Sequence, residues 1–131
     1  MNQCHSRGSS MRWEVVSDHA KAVKYGNAVY VSATQAEAMN DHVSDSGDAY
    51  AQAVNAMKRI QRVLHKAGAC GDDVVRTRIY LTDPGRWTDV LKAHREHFPS
   101  VVPANTLVVI KSFTVEDCLV EIEADAILRA S

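Results

Sequence analysis

The segment Val120–Ala126 alternates strictly between apolar and acidic residues, and this alternation constrains the fold more than any other feature of the sequence. Its apolar residues, at positions 120, 122, 124 and 126, fall on one side of an extended backbone, whereas Glu121, Glu123 and Asp125 fall on the other. This pattern is typical of a sheet with one face packed against a core and one polar face. We therefore expect other elements to cover only one face of a sheet in this chain.

Strand patterns recur along the rest of the chain, in the segments 12–16, 20–25, 28–33, 74–81, 106–112 and 118–128. Gly26-Asn27 separates the second segment from the third and predicts a two-residue hairpin turn in which glycine supplies the positive φ. In the segment 74–81, the odd-numbered residues from Val75 to Leu81 point to one side of the strand. Arg76, Arg78 and Tyr80 point to the other side.

The sequence also contains two helix patterns. The first begins at the N-cap Asp48, carries apolar residues at spacings of three and four up to Ala67, and ends at Gly68. The second begins after Asp83-Pro84, an N-cap followed by proline at the first helical position, and ends before Pro99. Its apolar stripe consists of Trp87, Val90, Leu91, His94 and Phe98. The predicted order is β-β-β-α-β-α-β-β, an α+β fold with two helices on one face of the sheet.

Length and composition fit one globular domain. We expect residues 1–10 to form a flexible polar arm and residues 11–131 to form a single domain. The arm lacks the apolar stretch of a signal peptide, and the longest aliphatic runs are only strand-sized, so a cytoplasmic protein without a membrane partner is expected. Fifteen Lys and Arg against sixteen Asp and Glu give a net charge of −1, which provides no general attraction to nucleic acid.

One helix face is nevertheless basic, and it consists of Lys58, Arg59, Arg62 and Lys66. A solvated face explains these residues, because the aromatic side chains that would stack on bases are missing from it. An RNA-binding role is therefore a secondary hypothesis.

Cysteine and histidine spacing indicates neither a disulfide framework nor a metal site. Cys4, Cys70 and Cys118 are far apart and odd in number. His94 and His97 can share a helix face, but no third ligand is indicated, and catalytic zinc usually needs three protein ligands. We expect no cofactor.

Several short motifs, in this order and spacing, resemble the YjgF/RidA (Rid) family, also described as endoribonuclease L-PSP-like, from about Val16 to Arg129. They are Val29-Tyr30-Val31-Ser32, Tyr50-Ala51-Gln52-Ala53, Ala67-Gly68, Asp72-Asp73-Val74-Val75, the run from Arg76 to Asp83, Phe98, Pro103-Ala104 and the run from Val120 to Ala124. The resemblance implies a chorismate-mutase-like fold, a homotrimer and ligand clefts between neighbouring subunits. It also implies hydrolysis of reactive enamines and imines, such as 2-aminoacrylate, to ketoacids and ammonia.

One substitution sets this chain apart from the archetype of that family. The archetype carries a Pro-Ala-Arg motif whose arginine binds the substrate carboxylate, and the motif here is Pro103-Ala104-Asn105. Asparagine has no charge and cannot form a bidentate ion pair. The chain therefore resembles an arginine-lacking subgroup, and we do not expect the archetypal deaminase activity.

The same resemblance selects the candidate site. Glu121 matches the family glutamate and is the candidate catalytic acid or base, although ion pairs with Arg76 and Arg78 would explain it as well. Asn105 would be either a ligand-binding amide or a residue that satisfies the backbone. The ligand-binding candidates are Ser32, which matches a family serine, Asn105, His19 in place of a family tyrosine, Leu91 in place of a family asparagine, and Trp87 near the pocket mouth. Trp87 otherwise fits the core.

Three functions follow as hypotheses. The first is an enzyme that acts on a small metabolite by water addition or acid/base chemistry, which Glu121 and Ser32 favour. The second is a non-catalytic ligand-binding or regulatory trimer, which the missing arginine favours. The third is an endoribonuclease or translation inhibitor, and only the basic helix face supports this hypothesis.

Overall fold

The structure is a computed structural model and describes residues 10–15, 19–39 and 42–129. The expected arm lies outside the described residues except for Ser10, which belongs to a strand. The elements are β1 Ser10–Trp13, β2 Ala22–Tyr25, β3 Ala28–Thr34, β4 Ala38–Met39, β5 His42–Val43, α1 Ala49–Lys66, β6 Val74–Leu81, α2 Trp87–His97, β7 Ala104–Val109 and β8 Val120–Ile127. The predicted order is confirmed, and the short pair β4-β5, which the sequence analysis did not predict, is inserted before α1.

Six strands form one sheet in the order β1-β2-β3-β8-β6-β7. Neighbouring strands are antiparallel except β6 and β7, which are parallel. A parallel connection needs a crossover, and α2 supplies it. β8 therefore lies in the middle of the sheet, between β3 and β6.

Both helices pack on one face of this sheet. The alternating apolar residues of β8 are buried, and they share one core with residues of α1 such as Met57, Ile60 and Leu64. Val90 of α2 and Phe98, directly after this helix, belong to the same core. The other face, which we call the open face, carries the acidic residues of β8, and these are only half-buried. One-sided coverage, expected from the alternation in β8, is thus confirmed.

The side-chain alternation predicted for β6 is wrong at its first residue. Val75 is 49% exposed, whereas Thr77, Ile79 and Leu81 are buried as expected. The pairing of β6 with β8 shifts between Val74 and Arg76, which is the register change of a β-bulge. Since a bulge inserts one extra residue, Val74 takes the buried position.

The termini of α1 follow the capping residues predicted from the sequence. The Asp48 carboxylate accepts a hydrogen bond of 2.9 Å from the Ala51 amide, which satisfies one of the free amides of the first turn. Gly68 follows the helix with φ of 84°, a conformation that favours glycine. Gly26 has φ of 60° in the β2-β3 turn, as the hairpin prediction requires. No helix among the described residues is long and apolar enough to cross a membrane.

Trp87 is not a core residue. It is the first residue of α2, after a 3-10 turn over Pro84–Arg86, and its side chain is 51% exposed. The core interpretation is wrong because the buried stripe of α2 begins only at Val90, one turn further on.

Gln52 is a fully buried polar residue that connects α1 to the loops around it. Its amide nitrogen donates to the carbonyl of Asp117 at 2.9 Å and to that of Asp45 at 3.3 Å. Its amide oxygen accepts from the Leu119 backbone at 2.9 Å. One side chain therefore ties α1 to the entry of β8 and to the segment before α1.

We expect Gln52→Ala to lower the free energy of unfolding by about 2–3 kcal/mol, because it leaves buried backbone groups without partners. Urea denaturation at one fixed protein concentration measures this. Gln61→Ala, at a partly exposed position of the same helix, is the matched control and should change stability by less than about 0.5 kcal/mol. Equal effects of the two substitutions would contradict the assigned role of Gln52.

Candidate functional site

Glu121 lies on the open face of β8, opposite Tyr80 of β6. Partial burial raises the pKa of its carboxyl group, the Lys21 charge opposes this shift, and Glu123 adds to it. A half-buried carboxyl with a raised pKa can exchange a proton closer to neutral pH than an exposed one. Glu121 therefore has the electrostatic setting of an acid/base group.

The neighbouring charges of the open face have partners of their own. Arg78 forms an ion pair with Asp125, with 3.6 Å between Nη1 and Oδ2. The Tyr80 hydroxyl donates a short hydrogen bond to Glu123, which raises the pKa of the tyrosine. These contacts differ from the expected pairing of the glutamates with Arg76 and Arg78. The positively charged neighbour of Glu121 that affects its pKa is Lys21, which lowers it.

Ser32 and His19 line one cavity of about 370 Å³, which we call the Ser32 cavity. Its walls are Glu14, His19, Lys21, Ser32, Ala33 and Arg59. The β3-β8 pairing is irregular between Val31 and Thr34, and both residues between them are exposed. The Ser32 hydroxyl donates to the Lys21 carbonyl at 3.0 Å. A bonded hydroxyl of this kind suits ligand binding better than nucleophilic attack.

Asn105 lies on the helix-covered side of the sheet, because its register partner on β6 is the buried Thr77. The Asn105 amide donates to Thr77 Oγ1 at 2.9 Å, and Thr77 Oγ1 lies 2.7 Å from His94 Nε2. The Thr77 hydroxyl can accept from the amide and donate to the imidazole at once. Asn105 is therefore held by a threonine–histidine pair.

His94 is buried on α2, and this burial, with the nearby His97, lowers the pKa of its imidazole. Its ring also contacts that of Phe98, with 4.9 Å between the centroids. His97 Nδ1 bonds the Ala93 carbonyl at 2.8 Å. The two histidines thus serve the helix and the Asn105 network, and no group of three potential metal ligands occurs among the described residues.

A second cavity, of about 280 Å³, opens beside this network, and we call it the Asn105 cavity. Its walls are Leu91, His94, Arg95, Phe98, Val101, Val102, Pro103 and Asn105. Two candidates, Leu91 and Asn105, therefore share a mostly apolar pocket. Trp87 lines neither this cavity nor the Ser32 cavity.

Within one chain the candidate residues form two separate groups. His19 and Ser32 line one cavity, beside the Lys21 that interacts with Glu121. Leu91 and Asn105 line the other, and Asn105 faces the opposite side of the sheet from Glu121. The strands that carry these two residues, β7 and β8, lie on either side of β6, where Asn105 pairs with Thr77 and Glu121 pairs with Tyr80, three residues further along the strand.

The sequence analysis missed four residues of these groups. Lys21 had no signal, because a lone lysine at a strand start resembles any surface lysine. Arg59 was assigned to a solvated helix face, although its guanidinium donates to the Gln35 carbonyl at 2.8 Å. Thr77 and His94 were assigned to buried stripes, and polar residues at such positions were the available signal for an internal hydrogen bond.

We expect Thr77→Val to cost about 1–3 kcal/mol of folding stability, because it leaves the Asn105 amide and His94 Nε2 without their shared partner. The substitution keeps the shape of the side chain, so urea denaturation reports the lost hydroxyl. Thr114→Val, at an exposed position of the loop between β7 and β8, is the control and should change stability little. An unchanged free energy of unfolding in Thr77→Val would show that the network is not needed for the fold.

Comparison with known proteins gives the same architecture. The sequence model of the family described as endoribonuclease L-PSP matches residues 11–128. An uncharacterized protein of Streptomyces coelicolor is 33% identical over 118 residues, which is 90% of this chain and 87% of that protein. A RutC family protein of Pyrococcus abyssi is 27% identical over 85% of this chain and 87% of its own length.

Solved structures agree with these sequence matches. A member of the YjgF/YER057c/UK114 family from Mycobacterium tuberculosis superposes with a TM-score of 0.80 at 34% identity and covers 92% of this chain and 100% of its own. RidA from an Antarctic Psychrobacter shares the fold, with a TM-score of 0.77 at 24% identity over 87% of this chain and 91% of its own. The chain therefore belongs to the endoribonuclease L-PSP family, the family of YjgF and RidA.

Proposed function

We propose that this protein acts on a small metabolite by acid/base chemistry in a cleft between the subunits of a homotrimer. Glu121 is the acid or base, and it moves a proton or positions the attacking water. The substrate belongs to the enamines, imines or related molecules that add water at a carbon–nitrogen bond. The position of Glu121 carries this proposal: a half-buried carboxyl on the open face, with its pKa raised by burial and Lys21 beside it.

The separation of the candidate residues supports a site between subunits. The Ser32 cavity and the Asn105 cavity each contain only part of the expected residues, and each is open. A second chain that brings its Asn105 cavity to the Ser32 cavity would complete the set. The open face also exposes Tyr30 and Val108 next to charged residues, a mixed surface that suits an interface. A trimer accounts for both observations.

Glu121→Gln tests the role of the carboxylate, because it keeps size and hydrogen bonding but removes the charge and the proton exchange. We expect turnover to fall by about 10²–10⁴-fold, the usual contribution of general acid/base catalysis. The assay would screen 2-aminoacrylate and other imines generated enzymatically from amino acids. Both proteins should have a mass near 43 kDa by light scattering, three times the chain mass of 14.4 kDa.

Glu123→Gln is the matched control, since it changes the next carboxylate on the same face and can still accept from Tyr80. The turnover of this variant should stay within a few-fold of that of the unaltered protein. A stable monomer at micromolar concentration would contradict the shared cleft. A Glu121→Gln trimer with full activity would contradict the catalytic role, and one that falls apart would make Glu121 a structural residue.

Turnover of 2-aminoacrylate itself should be low. Losing a charged contact to a substrate carboxylate costs about 2–5 kcal/mol. That corresponds to about thirtyfold to several thousandfold in rate relative to an arginine-containing homologue. We expect Asn105→Arg to raise this activity and Asn105→Gln, the uncharged control, to leave it unchanged. Equal rates for this protein and the homologue would show that Asn105 is no handicap.

A non-catalytic ligand-binding trimer is the second candidate. It is favoured by Asn105, whose amide is already bonded to Thr77 and carries no charge for a substrate. Ligand binding without turnover of any imine would support it.

An RNA-cleaving role is less favoured, because the basic face of α1 is divided between separate cavities that also contain Glu37. Submicromolar RNA binding at physiological salt would favour that role instead.

A further inference from the structure

The basic face of α1 meets a lysine from a distant part of the chain. Lys21, just before β2, and Arg59 of α1 both line the Ser32 cavity. They also line a second, smaller cavity of about 160 Å³. Two cations thus form the wall shared by both cavities, and we call them the Lys21–Arg59 pair.

Both side chains of the pair are held in place. Arg59 Nη1 donates to the Gln35 carbonyl at 2.8 Å, and Lys21 Nζ lies 3.5 Å from the Ala33 carbonyl. Each cation retains further hydrogen-bond donors beyond these contacts, because an ammonium has three and a guanidinium five. The pair can therefore bind an anion without first breaking a contact.

The surroundings of the pair are positive on balance. The smaller cavity adds Arg62 and Lys66 from α1, together with Glu14 and Glu37. The Ser32 cavity adds His19, and Glu121 of β8 interacts with Lys21 from the open face. In the smaller cavity four cations therefore face two carboxylates, an excess that attracts a small anion.

We propose that the Lys21–Arg59 pair binds the anionic group of the substrate, a carboxylate or a phosphate, and so takes the place of the missing motif arginine. This inference rests on the proposed function, since it puts the anion beside Glu121 and Ser32. An ammonium and a guanidinium together supply the charge and the fork of donors that an oxyanion requires. The reacting carbon would then lie within the Ser32 cavity, on the side of Glu121.

The charge state of Lys21 supports the same conclusion. Burial, and then the Arg59 charge, lower the pKa of Lys21 from 10.5 to about 8, although Glu14 and Glu121 oppose the shift. A bound anion would favour the charged amine and raise this pKa again. Lys21 is charged below about pH 8 and neutral above it, so anion affinity should be lost as the pH rises through that value.

Calorimetric titration with pyruvate and with sulfate tests the proposal, because neither probe titrates between pH 7 and pH 9.5. We expect binding at pH 7 and an affinity about ten- to thirtyfold lower at pH 9.5, as Lys21 loses its proton. Tighter binding of pyruvate would identify a carboxylate site, and tighter binding of sulfate a phosphate site. The absence of binding by both anions at millimolar concentration overturns the proposal.

Substitutions distinguish anion binding by the Lys21–Arg59 pair from anion binding by general surface charge. Lys21→Met and Arg59→Met should each weaken binding about tenfold or more. Lys58→Met removes an exposed charge one position before Arg59, outside both cavities, and should change affinity less than twofold. Lys21→Arg keeps the charge and should retain anion affinity at pH 9.5. It therefore tests whether Lys21 causes the loss of affinity between pH 7 and pH 9.5, even if Lys21→Met folds poorly. Equal losses in Lys58→Met and Lys21→Met would contradict the site.

Glu121→Gln distinguishes this inference from the proposed function. The variant should bind the anions at least as well as the unaltered protein, because a competing negative charge next to Lys21 is removed. Anion binding with unaffected turnover in Glu121→Gln would refute only the catalytic role. If Glu121→Gln loses turnover and the unaltered protein binds neither anion, only the Lys21–Arg59 site is refuted.

Discussion

One-sided burial of the sheet is the constraint on which the rest of this structure depends. The apolar residues of β8 pack under α1, and the parallel β6-α2-β7 crossover puts α2 on the same side. A strand in the middle of the sheet can then carry Glu121, Glu123 and Asp125 only toward the open face. Because charged groups lose solvation when buried, the carboxylates of β8 lie on the open face and its apolar residues lie in the core.

This division also separates the candidate residues. Asn105 follows the register of Thr77 and faces the helices, whereas Glu121 follows that of Tyr80 and faces the open side. Asn105 is fixed there by a hydrogen bond to a buried threonine, which is itself bonded to His94. A site that uses both residues therefore needs two chains, which agrees with a subunit cleft.

The loss of a positive charge at position 105 need not leave the protein without a cation for an acidic substrate. Lys21 and Arg59 line the cavity that contains Ser32, and Lys21 also interacts with Glu121. If the cation that binds the substrate lies on α1 and not at position 105 of β7, the substrate is held in another orientation. Substrates of this protein would then differ in shape from 2-aminoacrylate while still carrying an anionic group.

The sequence by itself determined the order along the chain of the two helices and of the strands of the six-stranded sheet, the ends of α1 at Asp48 and Gly68, and the polar and apolar sides of β8. These features depend on periodicity and capping within a few residues of the chain. Only the tertiary structure decided the bulge at Val75, the exposure of Trp87 and the meeting of Lys21 with Arg59. Each of these depends on which distant segment packs nearby, and the distance along the chain between the segments leaves no periodic signal.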